Sequence, residues 1–293
     1  MTTAKPETQS LPRQIEYVLR QIFANPGNKG ERLRRTAEAV MFPAWTRLTG
    51  GYWTTTYAGG QILVRRGLGS QHAVYARLPD YREMSFWLET LRPGDLFVDV
   101  GANIGIYSLL IASHGCDVIS VEPAADARRL LETNLGLNGV TTEIVTCAIG
   151  REPGKSVLTS ELGSMNYLVA DAEQPASSGV TEVDVTTLDD LLGERTAAGV
   201  KIDVEGFELD VVLGASQALA AQRIGVLQLE WNRMARERYG RERGDVAAAL
   251  QAADYVLARP DEQGRLHRSA PDEGTDMFAV APRLADQLVG AGG

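Results

Sequence analysis

Cysteine is almost missing from this chain of 293 residues: Cys116 and Cys147 are the only two. Two cysteines build no disulfide framework, so a reducing compartment is expected. Histidine is sparse as well. His72, His114 and His267 stand far apart, in no metal-ligand spacing and no Ser/His/Asp order, which speaks against a zinc site or a serine triad. No apolar run approaches the ~18 residues of a membrane span, and the opening MTTAKPETQS holds no apolar leader core. The expected location is therefore the cytoplasm, with no membrane partner. Basic excess is lacking too. The net charge of −9 counts against nucleic-acid binding, although a local basic patch stays open. Arginine greatly outnumbers lysine, which reflects genome bias and carries no functional reading. Two glycine signatures are also absent: there is no G-x-G-x-x-G and no G-x-x-x-x-G-K-[ST].

What is present is an ordinary apolar fraction of 44%, enough for a sizeable core in one large domain with a small extension, or in two domains at most. Residues 1–12 read as a disordered tail. Residues 13–78 read as an extension, with helices over 11–24 and 29–45 split by Asn25-Pro26-Gly27. Short β-prone pieces follow at 54–57, 61–65 and 73–77. Residues 81–91 form a helix. The large domain spans 79–285, with an insertion over 151–187 and a tail over 286–293. Its strands fall at 96–100, 117–121, 143–148, 199–204 and 224–229, alternating with helices at 127–135, stopped by Asn138-Gly139, and at 188–192, 207–221 and 245–253. Residues 255–258 and 277–280 close the sheet as an antiparallel hairpin. The insertion carries extended pieces at 155–159 and 181–186 around a polar loop at 171–179. This is an α/β pattern: a seven-stranded, mostly parallel sheet.

The chain is organised around DLFVDVGANIGIYS, residues 95–108. Leu96, Phe97, Val98 and Val100 make a buried parallel strand with Asp99 as its one charge. Gly101 and Gly105 flank a turn in which Asn103 serves as N-cap for a helix opening at Ile104. Such a turn lies outside the carboxyl ends of the strands, where ligands bind. A carboxylate at Asp99 would repel a pyrophosphate there. It would suit a ligand with an ammonium group, such as the amino-acid end of S-adenosylmethionine. Glu122 ends the next strand, 23 positions on (122 − 99), where an acidic side chain can accept both hydroxyl protons of a ribose. The candidate cofactor residues are thus Asp99, Gly101, Ala102, Asn103, Gly105 and Ser108 on the turn, and Glu122 and Pro123 beside it. Cys147 and Ala148, ending the third strand, would lie against an adenine.

The second constellation is KIDVEG, residues 201–206. Alternation places Lys201, Asp203 and Glu205 on one face, opposite Ile202 and Val204. Gly206 allows a sharp turn into the next helix. Two carboxylates and an ammonium at the end of a central strand call for a reason, and a structural Lys201–carboxylate pair is one that must be weighed. Glu230 ends the fifth strand in the same way. Asp203, Glu205 and Glu230 are the candidate catalytic residues, with a divalent-metal site from the three left open.

VDVGANIGIYS, ISVEP, VTTLDDLL and VKIDVEGFELDVVLGA, in this order, resemble the FkbM family of S-adenosylmethionine-dependent methyltransferases. The resemblance covers about residues 79–230. It implies a Rossmann-like class I methyltransferase fold and O-methylation of a sugar or secondary metabolite. Asp99, Gly101, Asn103, Glu122 and Asp203 take the places of the family's cofactor-site residues. The implied partner is a hydroxylated small molecule. Nitrogen, peptide or RNA acceptors, and a non-catalytic nucleoside-binding relative, are the alternatives. The first 60 residues and the insertion lie outside the match. The extension is expected to cover the acceptor pocket or a subunit interface, which keeps a homodimer open.

Overall fold

A computed structural model of the chain describes residues 11–66, 71–159, 168–169, 179–231, 236, 239–271, 273 and 276–290. It divides into two compact units, residues 1–81 and 82–293.

The first unit holds α1 (Leu11–Ala24), a 3-10 turn at Pro26–Asn28, α2 (Arg32–Leu48), the antiparallel pair β1 (Tyr52–Tyr57) and β2 (Gly60–Arg65), and α3 (His72–Tyr75). Its interior is built around a charge. The Arg35 side chain is fully buried and donates to Thr55 Oγ1 (3.1 Å), Ala73 O (3.0 Å) and Thr56 O (3.0 Å), with Glu31 and Glu38 as its counter-ions. The strand expected at 73–77 is instead α3. Asn28 Nδ2 donates to Tyr75 O (2.8 Å), and local bonds such as Ala76 N to His72 O (2.9 Å) close a helical turn. These buried donors claim the carbonyls that a strand would have spent on a neighbour, so tertiary demand overrides β-propensity.

α4 (Tyr81–Thr90) leads into the second unit. Its main sheet comprises β3 (Leu96–Val100), β4 (Asp117–Val121), β5 (Glu143–Val145), β10 (Ala197–Ile202), β11 (Ile224–Glu230), β12 (Val256–Pro260), β13 (Leu266–Arg268), β14 (Asp276–Val280) and β15 (Val289–Gly290). Their order across the sheet is β15-β13-β12-β14-β11-β10-β3-β4-β5. β5, β4, β3, β10 and β11 are parallel; β14 and β12 are antiparallel. These seven match the expected sheet, and β13 and β15 extend its edge. β12 and β14 are neighbours but not a tight hairpin, since β13 intervenes in sequence. The expected tail at 286–293 is also corrected: α11 (Pro282–Leu288) and β15 occupy 282–290.

One face of the sheet carries Val98, Val100, Val200, Ile202, Leu227 and Leu229 against α7 (Leu188–Leu192), α8 (Glu208–Leu213), α9 (Ser216–Ala220) and α10 (Arg243–Gln251). Period-2 alternation in central parallel strands forces the other residues to the opposite face. There Trp87 of α4 is fully buried, edge-on to Phe97 (5.0 Å between centroids) and tilted against Phe278 (5.9 Å). α5 (Ile106–Ser113) follows the glycine turn and α6 (Ala125–Leu137) follows β4. The expected helix 207–221 is two, because Gly214 interrupts it. A Cβ on Gly214 would lie 2.0 Å from Gly150 O, and the Asp189 carboxylate caps α9 through Gln217 N (2.9 Å) and Ala218 N (2.7 Å).

The expected third strand, 143–148, also splits. β5 ends at Val145, and β6 (Ala148–Ile149) crosses to a four-stranded sheet in the order β6-β9-β7-β8. Its other strands are β7 (Gly154–Thr159), β8 (Leu168–Val169) and β9 (Val180–Thr186), with β7 and β9 antiparallel. This is the insertion. Residues 171–178 of its expected polar loop lie outside the described residues.

Candidate functional site

The carboxyl ends of β3, β4 and β10 meet in register, with Val100 opposite both Val121 and Ile202. The backbone beyond them is stitched together. Gly101 N and Ala102 N donate to Val121 O (3.0 and 2.9 Å), and Asp203 N donates to Val100 O (3.0 Å). Gly101 has φ +86, and a Cβ there would meet Asp203 O at 2.0 Å. Only glycine lets the turn lie this close to the segment after β10.

Asn103 also adopts positive φ (+51). It is not the helix N-cap. That position is Gly105 (φ +91), and α5 begins at Ile106. The cap comes from the strand instead: Asp99 Oδ2 accepts from Ser108 N (3.0 Å) and Ser108 Oγ (2.7 Å). Asp99 is thus buried beneath the turn and holds the first turn of α5. Burial raises its carboxyl, opposed by the Lys201 ammonium and the Ser108 bonds. Asn103 N instead donates to Glu122 Oε2 (2.8 Å), while Glu122 Oε1 accepts from Ala124 N (2.8 Å). The Asn103 Oδ1 atom is buried with no hydrogen-bond partner, a state that polar groups avoid unless a ligand completes them. Pro123 O receives Arg128 Nη1 (3.1 Å). Ala102 packs on Leu131 and Leu135. Cys147 is half-buried and Ala148 buried in β6.

Beyond β10 the alternation read from the sequence stops. The strand ends at Ile202, and Glu205 has φ +54, so Lys201, Asp203 and Glu205 do not share a strand face. Lys201 Nζ is buried, 2.9 Å from Asp203 Oδ2 and 4.7 Å from the centre of the Tyr107 ring. Burial works to lower its pKa, but Asp203, Asp99 and Glu230 outweigh it and hold the ammonium charged. Lys201 is therefore the hub that the carboxylates surround. Among the described residues no group of three or more His, Cys, Asp and Glu side chains gathers where a metal could be held. The three-carboxylate metal site left open by the sequence is not formed.

Lys201 belongs to a polar row. Ser120, Asp99, Lys201 and Gln228 are register neighbours across β4, β3, β10 and β11, on the face covered by α4 and α5. Ser120 Oγ bonds Ser108 Oγ (2.8 Å). Gln228 Nε2 donates to Tyr107 OH (3.1 Å) and Asp276 Oδ2 (2.7 Å), and its Oε1 accepts from Trp87 Nε1 (2.6 Å). Sequence reading missed Tyr107 and Gln228, and read Glu208 only as a carboxylate favouring a helix N-terminus. Glu208 has no exposure, and its Oε1 accepts from Gly206 N (2.9 Å). The available signal was its place in EGFE, a second carboxylate just inside a helix after an apolar strand.

Burial pushes Glu122 up to about 7, opposed by the Ala124 and Asn103 N–H groups. Burial likewise pushes Glu208 up to about 7, opposed by the Gly206 N–H. Both start from an ordinary 4.5, so the folded chain binds these protons more tightly than the unfolded chain. Their contribution to stability falls as pH rises through that interval. The Lys201 ammonium titrates above it and adds no slope. Thermal unfolding of the ligand-free protein should therefore occur at higher temperature near about pH 5 than about pH 8. Glu208→Gln should reduce that difference.

The Methyltransferase FkbM domain model matches residues 99–257, more than half of the chain. The chain is 29% identical to the AMB antimetabolite synthetase AmbE of Pseudomonas aeruginosa, over 68% of this chain and 11% of that protein. It is 30% identical to the 31-O-demethyl-FK506 methyltransferase FkbM of Streptomyces tacrolimicus, over 44% of this chain and 62% of that one. The chain thus spans less than two thirds of either relative. Among solved structures it matches a methyltransferase FkbM from Methylobacillus flagellatus (18% identity, 73% of this chain, 56% of that one, TM-score 0.42). It also matches the Pyrococcus abyssi tRNA (uracil-54, C5)-methyltransferase in complex with S-adenosyl-L-homocysteine (10% identity, 78% and 44%, TM-score 0.43).

Proposed function

Because the chain belongs to the FkbM methyltransferase family, we propose that it is an S-adenosylmethionine-dependent O-methyltransferase acting on a hydroxyl of a small molecule. The observation that carries the cofactor is the orphaned Asn103 Oδ1, buried in a glycine turn edged by Glu122. An acceptor without a donor in that turn fits a ligand rich in N–H and O–H groups. Each Glu122 oxygen keeps a lone pair after its backbone bond, which suits a pair of ribose hydroxyls. Cys147 and Ala148 offer the apolar edge for a base. When bound, S-adenosylmethionine supplies an electrophilic sulfonium methyl. The chain's task is then to hold an acceptor oxygen in line and to take its proton. Asp203, Glu205 and Glu230 are the carboxylates assigned to the acceptor side, with Lys201 fixing Asp203 by the 2.9 Å ion pair. Support for oxygen as acceptor comes from the Streptomyces relative, a 31-O-demethyl-FK506 methyltransferase. The net charge of −9 favours a small molecule over RNA.

The test is methyl transfer from labelled cofactor to panels of hydroxylated small molecules, amines, peptides and RNA. Label on the first panel supports the reading, and label confined to any other overturns the acceptor class. Calorimetry with S-adenosylhomocysteine tests the site itself. Glu122→Ala should weaken binding by ~1.5–3 kcal/mol, the value of a hydrogen bond to a charged group. Unchanged affinity would remove Glu122 from the site.

A further inference from the structure

The outward face of α2 inverts the usual arrangement. A surface helix normally turns polar residues to water. Here Leu33, Val40 and Leu48 are 87, 74 and 84% exposed, and Met41 and Ala44 are exposed with them. At about 100° per residue, Leu33, Ala37, Val40, Met41, Ala44 and Leu48 fall within about 50° of one line. That line runs opposite the buried Arg35, Phe42 and Thr46. No charge interrupts it; Arg34 and Arg47 flank it, and Arg34 is already paired with Glu31 (2.6 Å) and Glu38 (3.6 Å).

The line is also palindromic. About the midpoint between Val40 and Met41, Leu33 mirrors Leu48, Ala37 mirrors Ala44, and Val40 mirrors Met41. A two-fold axis perpendicular to the helix at that point sets each residue against its mirror partner on a second, antiparallel copy. Large meets large at the ends, and alanine meets alanine between them, which allows close approach of the axes. This is the self-complementarity an isologous contact requires.

We propose that this face of α2 is a homodimer interface, occupied by the same helix of a second copy of the chain in antiparallel orientation. From Leu33 to Leu48 the strip is roughly 23 Å long and 10 Å wide. Two such strips face to face cover about 460 Å², less than the about 1,000 Å² of a specific contact, so apolar surface beside the strip has to join it. The half-exposed Ile15, Leu19 and Phe23 of α1, spaced by four, provide further apolar surface on the same unit. Arg32 lies over the Phe23 ring at 5.8 Å, linking that stripe to the start of α2.

The experiment is sedimentation velocity on the full chain from about 1 to 100 µM, the range expected of a small apolar interface. A reversible monomer–dimer equilibrium is expected. Val40→Glu should raise its dissociation constant about a hundredfold, since each copy would bury an unpaired carboxylate against Met41 of the other at the dry centre. The side chain is exposed in the monomer, so circular dichroism should not change; Leu48→Lys serves as a second variant. Ala37→Cys mixed with Ala44→Cys should cross-link across the axis, and Ala37→Cys alone should not. A chain that is monomeric throughout overturns the proposal. So does a dimer indifferent to both substitutions, or Ala37→Cys cross-linking to itself. Flotation of the wild type with phosphatidylcholine vesicles, abolished by Val40→Glu, would reassign the face to a lipid surface and overturn the second copy as its occupant.

Discussion

Gly101→Ala should lose about 2–5 kcal/mol of folding stability and, with it, the proposed cofactor site. Two costs combine. An L-residue at φ +86 carries roughly 1–2 kcal/mol of strain. The new methyl would then meet Asp203 O at 2.0 Å, and overpacking of this kind costs about 1–3 kcal/mol when the neighbour can move. Here it is held on both sides. Asp203 N is bonded to Val100 O (3.0 Å), its carboxylate is paired with Lys201, and Gly101 N is bonded to Val121 O (3.0 Å). Gly94→Ala provides the control. Gly94 has a nearly identical φ of +87, with nothing within 4 Å of the added Cβ, so only the strain applies. Urea denaturation of the two variants separates the terms. Equal losses would mean that the Gly101–Asp203 approach is soft.

Lys201→Met should be as damaging and, unlike the glycine variant, strongly pH-dependent. Methionine fills similar space without charge, leaving Asp99 buried beside Asp203 and Glu230 with no ammonium among them. Breaking a buried ion pair on one side costs about 3–5 kcal/mol. The sign with pH follows from Asp99, whose carboxyl already lies above its ordinary value through burial while Lys201 holds it down. Without Lys201 it rises further, and a protonated Asp99 has no charge left to desolvate. The deficit should therefore be smaller near about pH 5 than about pH 8. Adding Asp99→Asn should recover part of the loss at the higher pH, and the double-mutant cycle measures the coupling. A deficit independent of pH would show that Lys201 acts through packing on Tyr107 rather than through charge.

The parallel strands were legible because buried central strands leave continuous apolar runs, as in residues 96–100 and 224–229. The glycine turn and Glu122 were legible because both belong to local sequence. What escaped depends on partners far along the chain. Asp99 was read as facing a ligand, yet Ser108 N and Oγ occupy its Oδ2 as the helix cap. Asn103 was read as that cap, and no local rule shows that Gly105 would take the position. Lys201 was weighed as a structural pair, and its ion pair with Asp203 is present. Its place in the row with Ser120, Asp99 and Gln228 needs the strand register, which only the assembled sheet supplies. α3 was read as a strand because its carbonyls serve Asn28 and Arg35, more than 35 residues away.

The position of β14 bears on how the second unit comes to be made. It is the last long strand in sequence, yet it lies inside the sheet, between β11 and β12. β11 pairs with it from Val226 to Glu230, and β12 from Val256 to Ala258. Until residues 276–280 leave the ribosome, β11 has one bare edge and β12 has no path into the sheet. Non-local pairing of this kind delays folding, because loop closure must precede any return in contacts. The nascent unit must therefore wait, with an apolar strand edge open to other chains. A stop codon ahead of β14 would remove the wedge that joins two parts of the sheet, leaving a product bound for aggregation or proteolysis.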